Sequence, residues 1–398
     1  MSRRPPRIVI TGAGVAGSLI GAGLRGRSDV ELICLDKVEA AGHSEAGTGL
    51  NIGPNAIKSL LSVMPERAQT IIDNSLPWRR WRIALTSGRE LFDLDLSAVA
   101  DNPGVRIRWS ELYSLLRAPL DALVLYGAEL QECGRDEDGL FVRYARAGSL
   151  QRLSGIDLLI SADGRYSQIR ERFFGVELPR FLGVCLCRLL FPVRHDCPID
   201  DYRQWFNGSN RLLAFRVPGN LVYCAGSFTL PADGVLRDEM KTPEALRAYY
   251  TPPGRRLSRE CAILVDAIAG HADRLHWARL QEGSVRYSGA PGVLLVGDSA
   301  HPMLPTLGQG ATQAAEDACV AVDEIRKSLD RGEDLAAIPG RIDARRRERA
   351  QFVLDFSRDA TDTMLPGADS VAGALRKLEP EFQGRLRRLY RDSPLATA

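Results

Sequence analysis

A group of glycines and one acid near the N-terminus has the residue types and spacing that bind a dinucleotide. Gly12-Ala13-Gly14-Val15-Ala16-Gly17 follows the apolar run Ile8-Val9-Ile10, and Asp36 ends a second apolar run at residues 30–35. In a strand–turn–helix–strand unit, the first glycine permits the turn, the second lets the backbone approach a pyrophosphate, and the third lets the helix pack on the strand. The helix N-terminus then faces the phosphates with its free N–H groups. Asp36 would accept hydrogen bonds from a ribose, whereas the alternative is a βαβ turn that serves packing only.

Composition limits the classes of protein that this chain can be. Its 398 residues allow two or three domains, and 45% hydrophobic with 26% charged residues is typical of a soluble globular protein. A net charge of +2 gives no overall field for nucleic acid. Eight scattered cysteines without a Cys-x-x-Cys pair favour reduced thiols and a cytoplasmic protein, and no pattern indicates a metal. No run approaches the ~20 apolar residues of a membrane span, and no signal peptide is expected.

The elements that must position a dinucleotide follow from hydrophobic periodicity. A buried strand is expected at residues 156–161, ending in Asp163-Gly164, and another at residues 293–296, followed by Gly297-Asp298. Helices are expected at residues 56–61, 107–125, 167–174, 242–250, 260–269 and 311–329. The Arg-rich helical tail at residues 338–364 is interpreted as a solvated face.

A different pattern of hydrophobic and turn-forming residues indicates a second sheet. Short β-like runs at residues 183–193, 203–205, 211–217 and 221–228 are separated by Pro and Gly, which favours antiparallel strands. Residues 81–85 and 90–96 read as a β-hairpin, and residues 129–133 and 140–144 as a further strand pair. Because an isolated hairpin is marginally stable in water, we expect the first one to join the second sheet.

Three separated segments together resemble one family, the group A single-component flavoprotein aromatic hydroxylases of the p-hydroxybenzoate and salicylate hydroxylase type, including its pyridine hydroxylases. The first is the glycine motif with Asp36, and the second is DLLISADGRYSQIR at residues 157–170. The third is GDSAHPMLPTLGQGATQAAEDA at residues 297–318. The resemblance covers roughly residues 8–350.

The resemblance implies an α/β fold with an FAD-binding Rossmann-like domain of the glutathione-reductase type, a second antiparallel-sheet substrate domain and a C-terminal helical segment. The FAD-binding domain is assigned to residues 1–77, 98–180 and 283–330. The substrate domain is assigned to the hairpin at residues 78–97 and to residues 181–282. Residues 331–398 form the C-terminal helical region.

The resemblance also assigns cofactor residues. Asp163 and Gly164 would touch FAD and the nicotinamide cofactor, and Asp298 would hold the ribityl chain. The backbone at residues 308–311 begins a helix whose positive end can stabilise negative charge on a reduced flavin. His301 is interpreted as structural rather than catalytic. The full cofactor set is Gly12, Ala13, Gly14, Val15, Ala16, Gly17, Asp36, Lys37, Gly49, Arg108, Asp163, Gly164, Gly297, Asp298, Pro305, Gly308, Gln309, Gly310 and Ala311.

Two departures from the family pattern leave questions open. The family often has an Arg before a helix in an R-x-x-L setting, where this chain has Trp109 with Arg108 one residue earlier. Either Arg108 makes that cofactor contact or the contact is absent. Some pyridine hydroxylases carry a His where this chain has Asn51, and a neutral amide cannot act as a general base.

The implied reaction is hydroxylation of an aromatic or heteroaromatic ring with NADPH or NADH and O₂ through a flavin hydroperoxide. No second nucleotide-binding domain is visible, so the nicotinamide cofactor would dock transiently. The partners would be a small aromatic substrate and O₂, and the protein a monomer or homodimer. The alternatives are another FAD-dependent oxidoreductase, such as a ring-opening oxygenase, reductase or dehydrogenase, and a non-catalytic nucleotide-binding protein. Trp78-Arg79-Arg80-Trp81 does not fit the Trp-x-Trp-x-Ile-Pro motif of halogenases.

Substrate contacts are expected on the second sheet. Arg188 is the only charge in the apolar run at residues 184–190, so it should meet either an internal acid or an anionic substrate. Tyr223 on a neighbouring run, Asn51 from the loop and Pro305 from the third motif complete the predicted catalytic set. Gln204 and Arg211 are further candidates, and ordinary sheet packing is the alternative for each.

Overall fold

The computed structural model describes residues 4–40, 48–120 and 122–395. Residues 41–47, shortly before Gly49 and Asn51, lie outside the described residues. The strands, in chain order, are β1 (Arg7–Thr11), β2 (Glu31–Asp36), β3 (Gly49–Ile52), β4 (Leu76–Trp78), β5 (Arg80–Leu85), β6 (Glu90–Asp95), β7 (Gly104–Arg108), β8 (Val124–Tyr126), β9 (Glu129–Asp136), β10 (Gly139–Arg146), β11 (Ser149–Ile156), β12 (Leu158–Ser161), β13 (Arg180–Pro192), β14 (Tyr202–Asn207), β15 (Asn210–Val217), β16 (Leu221–Thr229), β17 (His276–Glu282) and β18 (Val293–Leu295).

The α-helices complete the set of elements, and short 3₁₀ turns connect several of them. In chain order they are α1 (Val15–Leu24), α2 (Pro54–Val63), α3 (Pro65–Asp73), α4 (Trp109–Arg117), α5 (Gln168–Phe174), α6 (Pro243–Tyr250), α7 (Arg259–Gly270), α8 (Gln309–Asp330), α9 (Ile338–Asp359), α10 (Ser370–Arg376) and α11 (Pro380–Arg391).

A parallel five-stranded sheet in the order β18-β12-β1-β2-β8 forms the centre of the first half of the fold. Its strands are nearly continuous apolar runs because both faces are covered, and Ile8, Val9 and Ile10 are fully buried. Helix α1 packs against α8, which returns from the far end of the sequence. The predicted strand–turn–helix–strand unit is therefore present, and the third motif directly follows β18, one edge strand of the same sheet.

A seven-stranded sheet in the order β17-β13-β16-β15-β14-β5-β6 forms the second layer. The hairpin β5–β6 joins this sheet through β14, but β5 runs parallel to β14, so the sheet is mixed at that edge rather than wholly antiparallel. One face packs on α6 and α7 around Cys187, Trp205 and Leu264. The other face is free to contact the layer that contains the parallel sheet.

Two smaller sheets complete the fold: β3-β7-β4 contacts β15 and β16 of the seven-stranded sheet, and β11-β10-β9 lies against β1 and β2 of the parallel sheet. They include a correction to the helix expected at residues 107–125. Ile107 is paired with Leu50 in β3–β7, α4 begins only at Trp109, and it ends at Arg117 just before Pro119, which cannot donate the hydrogen bond that would continue a helix. The apolar spacing that suggested one long helix therefore covers the end of β7, helix α4, a 3₁₀ turn and the start of β8.

The Arg-rich helix α9 also differs from its interpretation as a solvated face. It packs along α8, and Arg346 is fully buried between the two helices. The eight cysteines form no disulfide, and all except Cys197 are buried. Among the described residues, no helix is both long enough and apolar enough to cross a membrane.

Candidate active site

A cavity of about 790 Å³ lies between the parallel sheet and the seven-stranded sheet. Residues directly after β1, β2, β12 and β18 line one side of it, which is the carboxyl edge of the parallel strands. Ligands of open α/β sheets bind at this edge. Side chains of β13, β14, β15, β16 and β17 line the other side.

The glycine motif has the geometry that a bound pyrophosphate needs. Gly12 has φ +94°, and a Cβ there would lie 2.4 Å from the Ala162 carbonyl oxygen. Gly14 caps α1 and faces open space, because the nearest atom to a Cβ would be the Tyr113 hydroxyl at 4.0 Å. A Cβ on Gly17 would lie 1.9 Å from the Gly12 carbonyl oxygen, so Gly17 serves the packing of the helix on the turn. No side chain caps the start of α1, and this end of the helix faces the cavity.

Asp36 ends β2 at the cavity wall and is held in place by the turn. Its carboxylate accepts hydrogen bonds from the Ala13 N–H at 2.6 Å and the Val38 N–H at 2.9 Å. An Arg117 guanidinium nitrogen lies 3.6 Å from Asp36 Oδ2. The Ala13 N–H is therefore used by the acid, and Ala13 does not line the cavity.

Helix α4 supplies a cation that motif spacing did not identify. Arg117 donates to the Ala13 carbonyl oxygen at 2.9 Å and lies over the Tyr113 ring at 4.4 Å. Burial raises the pKa of Tyr113 to about 12, so this hydroxyl stays neutral. Trp109, Tyr113 and Arg117 all line the cavity. Their i, i+4, i+8 spacing places them on one helix face, which is the signal that could have found them.

The assignment of Arg108 to the cofactor needs correction. Its guanidinium lies 2.6 Å from Glu111, and Arg108 is not among the residues that line the cavity. Residue 108 ends β7 and residue 109 begins α4, and it is Trp109 that faces the cavity. The cation on this side of the cavity comes from Arg117, two helical turns later.

The second motif contributes Asp163 and Gly164 to the cavity wall. Burial raises the pKa of the Asp163 carboxyl, although Ser161 donates a hydrogen bond to it. Gly164 has φ +84°, a conformation that favours glycine. The next residue, Arg165, reaches Asp298 of the third motif at 3.9 Å and so joins the two segments across the cavity.

The third motif places a bare helix start beside Asn51. Gly308 has φ +64° and caps α8 without a side-chain hydrogen bond. A Cβ on Gly308 would lie 2.4 Å from Asn51 Nδ2, and that buried amide nitrogen has no hydrogen-bond partner among the described residues. Gly310 and Ala311 in the first turn also line the cavity, as do Asp298 and Pro305. Gln309 does not, because its side chain is fully buried and bonds within the protein.

A buried ionic cluster on the side away from the cavity forms hydrogen bonds with this motif. Asp317 accepts from the Gly297 N–H at 2.8 Å, from Tyr287 at 2.8 Å and from Arg346 at 2.8 Å. His301 Nε2 lies 2.6 Å from Asp317, and His301 is fully buried away from the cavity. Burial alone would raise the pKa of Asp317, but His301 and Arg346 hold it at about 2. This position agrees with the interpretation of His301 as a structural residue.

The inner face of the seven-stranded sheet forms the other wall. Arg188 is half-buried on β13 and lines the cavity, with no hydrogen-bond or ion-pair partner within residues 4–40, 48–120 and 122–395. Tyr223 on β16 lines it too, and burial raises the pKa of its hydroxyl. A Cβ on Gly49 would lie 2.7 Å from the Tyr223 Cβ, so the backbone before Asn51 packs directly on this sheet.

The structure brings most of the predicted residues together. Predicted residues on the cavity wall are Gly12, Gly14, Val15, Ala16, Asp36, Lys37, Gly49, Asn51, Asp163, Gly164, Arg188, Tyr223, Gly297, Asp298, Pro305, Gly308, Gly310 and Ala311. Of the further candidates, Arg211 lines the wall, whereas Gln204 is buried and donates to the Tyr202 hydroxyl. Lining residues that the sequence did not indicate include Tyr113, Arg117, Tyr202 and His276.

Comparison with known proteins agrees with this geometry, although no protein-family model matches the chain. The chain is 26% identical over 375 residues to the 6-hydroxynicotinate 3-monooxygenase of Bordetella bronchiseptica, covering 89% of this chain and 91% of the relative. It is 28% identical over 335 residues to the 3-amino-4-hydroxybenzoate 2-monooxygenase PtnB3 of Streptomyces platensis, covering 81% and 80%.

Solved structures share the fold. Klebsiella pneumoniae HpxO complexed with FAD and uric acid matches with a TM-score of 0.82 and 22% identity over 98% of both chains. The 2,6-dihydroxypyridine-3-hydroxylase from Arthrobacter nicotinovorans matches with a TM-score of 0.73 and 18% identity over 92% and 95%. The predicted fold class is confirmed by these matches. Together with the sequence relatives, they confirm the resemblance drawn from the motifs: over most of its length the chain is similar to FAD-dependent monooxygenases of aromatic and heteroaromatic compounds.

Proposed function

We propose that this protein binds FAD along the carboxyl edge of the parallel sheet and hydroxylates an anionic aromatic or heteroaromatic compound bound against the seven-stranded sheet. One observation carries the proposal: the three motifs and the inner face of the second sheet line one continuous cavity. A cofactor in that cavity would contact the substrate directly.

The residues present fit FAD. The bare start of α1 at Gly14 suits the pyrophosphate, and Asp36 at the end of β2 suits the adenosine ribose. The start of α8, which has no side-chain cap and lines the cavity at Gly308, Gly310 and Ala311, suits the flavin ring, and Asp298 suits the ribityl chain. Bound FAD supplies the redox chemistry, taking electrons from NADPH or NADH and activating O₂.

The protein's own residues would then bind, orient and shield the ring. Arg188 would pair with an anionic group of the substrate and fix its orientation, because a guanidinium binds a carboxylate through two parallel hydrogen bonds. Tyr223 and the unpaired amide of Asn51 would position the ring between the sheet and α8. The layered cavity would exclude water from the reacting atoms.

The names of the relatives support this class of substrate. 6-Hydroxynicotinate and 3-amino-4-hydroxybenzoate are both carboxylated rings that carry a hydroxyl group. We further propose that residues 78–97 and 181–282 act as the substrate domain, since their strands share the seven-stranded sheet. The remaining alternative is another FAD-dependent oxidation, such as ring opening or dehydrogenation.

A substrate panel tests the proposal. Purified protein with bound FAD should oxidise NADPH or NADH slowly alone and much faster with one of a set of hydroxylated benzoates, pyridines or quinolines. Stimulation by carboxylated members, with a hydroxylated product, is the expected result. Protein that binds no FAD, or shows no stimulation by any ring acid, would contradict it.

A further inference from the structure

Helix α4 places one unused hydroxyl on the cofactor side of the cavity. The Tyr113 hydroxyl lies 4.0 Å from the position that a Cβ on Gly14 would occupy, and Gly14 is the N-cap of α1. Tyr113 is partly buried and lines the cavity, and its hydroxyl has no hydrogen-bond partner within residues 4–40, 48–120 and 122–395. A tyrosine hydroxyl can donate one hydrogen bond. The sheltered donor therefore has an acceptor available only from a ligand or water in the cavity.

The backbone at the start of α1 leaves work for such a donor. No side chain caps this helix and no acid lies in its first turn. The Ala13 N–H, just before the helix, is already bonded to Asp36. The free N–H groups of the first turn can donate to a phosphate, but each phosphate oxygen accepts more than one hydrogen bond. Donors from a neighbouring element can therefore add to those of α1.

The cations near this end of the cavity are already used by the protein. Arg117 is 3% exposed, donates to the Ala13 carbonyl oxygen at 2.9 Å and lies 3.6 Å from Asp36. Arg108 pairs with an acid of its own helix and does not line the cavity, and Arg165 donates to two carbonyl oxygens. The other basic lining residues among those described are Lys37, after β2, and Arg188 and Arg211 on the opposite wall. Tyr113 is thus the side-chain donor beside Gly14 that remains unused.

Two contacts fix the Tyr113 ring before any ligand binds. The Arg117 guanidinium lies 4.4 Å from the ring centroid, and the Trp109 ring lies 4.8 Å away at an angle of 57°. Burial raises the pKa of Tyr113 to about 12, so the hydroxyl keeps its proton and remains a donor at neutral pH. A donor that is already held in place loses little conformational entropy when a ligand binds.

We propose that the Tyr113 hydroxyl donates a hydrogen bond to the pyrophosphate of FAD, so that α4 recognises the phosphates through a neutral donor instead of a cation. This inference rests on the proposed function, in which the pyrophosphate lies at the start of α1. A hydrogen bond to a charged acceptor is stronger than one between neutral groups. Removing this single hydroxyl should therefore weaken FAD binding measurably.

Tyr113→Phe tests the contact, because it removes the hydroxyl and keeps the ring that Arg117 and Trp109 contact. The dissociation constant of FAD, measured by fluorescence titration of the apoprotein, should rise about tenfold or more. Tyr144→Phe is the matched control, because the Tyr144 hydroxyl donates to Gln151 and Tyr144 does not line the cavity. This control should bind FAD as tightly as the wild type.

Phosphorus NMR distinguishes a direct contact from a change of shape elsewhere. At saturating FAD, a pyrophosphate resonance of the bound cofactor should move in Tyr113→Phe and stay in place in Tyr144→Phe. Trp109→Arg, one helical turn before Tyr113 on the same face, should make the dissociation constant of FAD rise more steeply with salt, because a cation then faces the phosphates.

Equal dissociation constants in Tyr113→Phe and the wild type, unmoved pyrophosphate resonances, or an unchanged salt dependence in Trp109→Arg would overturn the contact. The proposed function is judged separately on the wild type. A wild type that takes up no FAD overturns both proposals. A wild type that binds FAD and oxidises NAD(P)H faster with a ring acid, while Tyr113→Phe binds FAD equally well, overturns the Tyr113 contact alone.

Discussion

At the scale of single residues, the cavity combines two kinds of side chain. One kind has its hydrogen bonds satisfied by the protein, as with Asp36, which the turn backbone holds in place. The other kind lines the cavity without a partner among the described residues, as with Arg188, Arg211 and the Asn51 amide nitrogen. Unpaired buried polar groups are costly, so the second kind marks the places where ligand groups are expected.

Asp298→Ala should lower the FAD content of the purified protein. Asp298 faces the cavity beside the start of α8, where a Cβ on Gly310 would lie 3.7 Å from its Oδ1. Loss of a hydrogen bond to a charged group should raise the dissociation constant of FAD about tenfold or more. Fluorescence titration of the apoprotein measures this. Asp238→Ala is the control, because that side chain is 98% exposed, and equal affinity in both variants would remove Asp298 from the site.

Arg188→Met should raise the KM for the aromatic substrate about tenfold to a hundredfold, or uncouple NAD(P)H oxidation from hydroxylation, because the anionic group loses its partner. FAD binding should not change. Steady-state kinetics with product analysis measures both effects. Arg194→Met, at a side chain that is 91% exposed just after β13, should behave as the wild type. Lower stability with unchanged kinetics would instead make Arg188 a structural residue.

At the scale of elements, the motif sequences allowed the strands and turns around the cofactor to be predicted. Gly12, Gly14 and Gly308 have the backbone or spatial settings that their motifs require. Prediction was poorer where one periodicity covers two elements, as at residues 107–125, and where a charge is buried by a distant helix, as with Arg346. Arg117 is indicated only by the i, i+4, i+8 spacing of its helix face, and the pairing of Arg346 has no local signal because its partners lie about thirty residues away in the sequence.

Arg346→Met should destabilise the protein by about 3–5 kcal/mol, because it leaves the fully buried Glu316 with Arg349 alone and the fully buried Asp317 with His301 alone as counter-charge. Urea unfolding measures the loss. The neighbouring Arg347→Met is the matched control: that side chain is 59% exposed and pairs with the partly buried Asp343 one helical turn away, so its loss should cost less than about 1 kcal/mol. Similar losses in the two variants would refute a role for the buried cluster.

The same cluster predicts a pH dependence. Asp317 has its pKa lowered to about 2 in the folded protein, against about 3.9 for an aspartate in an unfolded chain. Its stabilising contribution, about 2.6 kcal/mol, is therefore complete above about pH 5 and is lost as the pH falls through about 2. Unfolding free energies measured across this range should decrease, and Asp317→Asn should flatten the decrease. An identical slope in the variant would contradict the assignment.

At the scale of the whole molecule, the cavity depends on two layers that are distant in sequence. The parallel sheet supplies the wall at which we propose that FAD binds, and the seven-stranded sheet supplies the wall at which we propose that the substrate binds. The sequence allowed both layers to be predicted, because parallel and antiparallel strands differ in their hydrophobic pattern and in how often Pro and Gly separate them. It could not give the distance between them or show which inner-face residues lack partners, since these depend on how the layers pack.

Ligand binding should therefore stabilise the molecule as a unit. FAD added to the apoprotein at a thousandfold its dissociation constant should contribute about 4 kcal/mol to stability and raise Tm. Calorimetry measures the shift, and the gain should shrink in Asp298→Ala at the same FAD concentration. An unchanged Tm in the wild type would mean that FAD does not bind the folded state.

The most direct test of the central claim is isotope incorporation. The FAD-bound protein is incubated with NADPH or NADH, a stimulating ring acid from the panel and ¹⁸O₂, and the product is analysed by mass spectrometry. A monooxygenase that hydroxylates the ring should give a product that contains one ¹⁸O atom from O₂ and keeps the ring intact. A product whose new oxygen comes from water, a ring-opened product, or oxidation without oxygen incorporation would contradict the account.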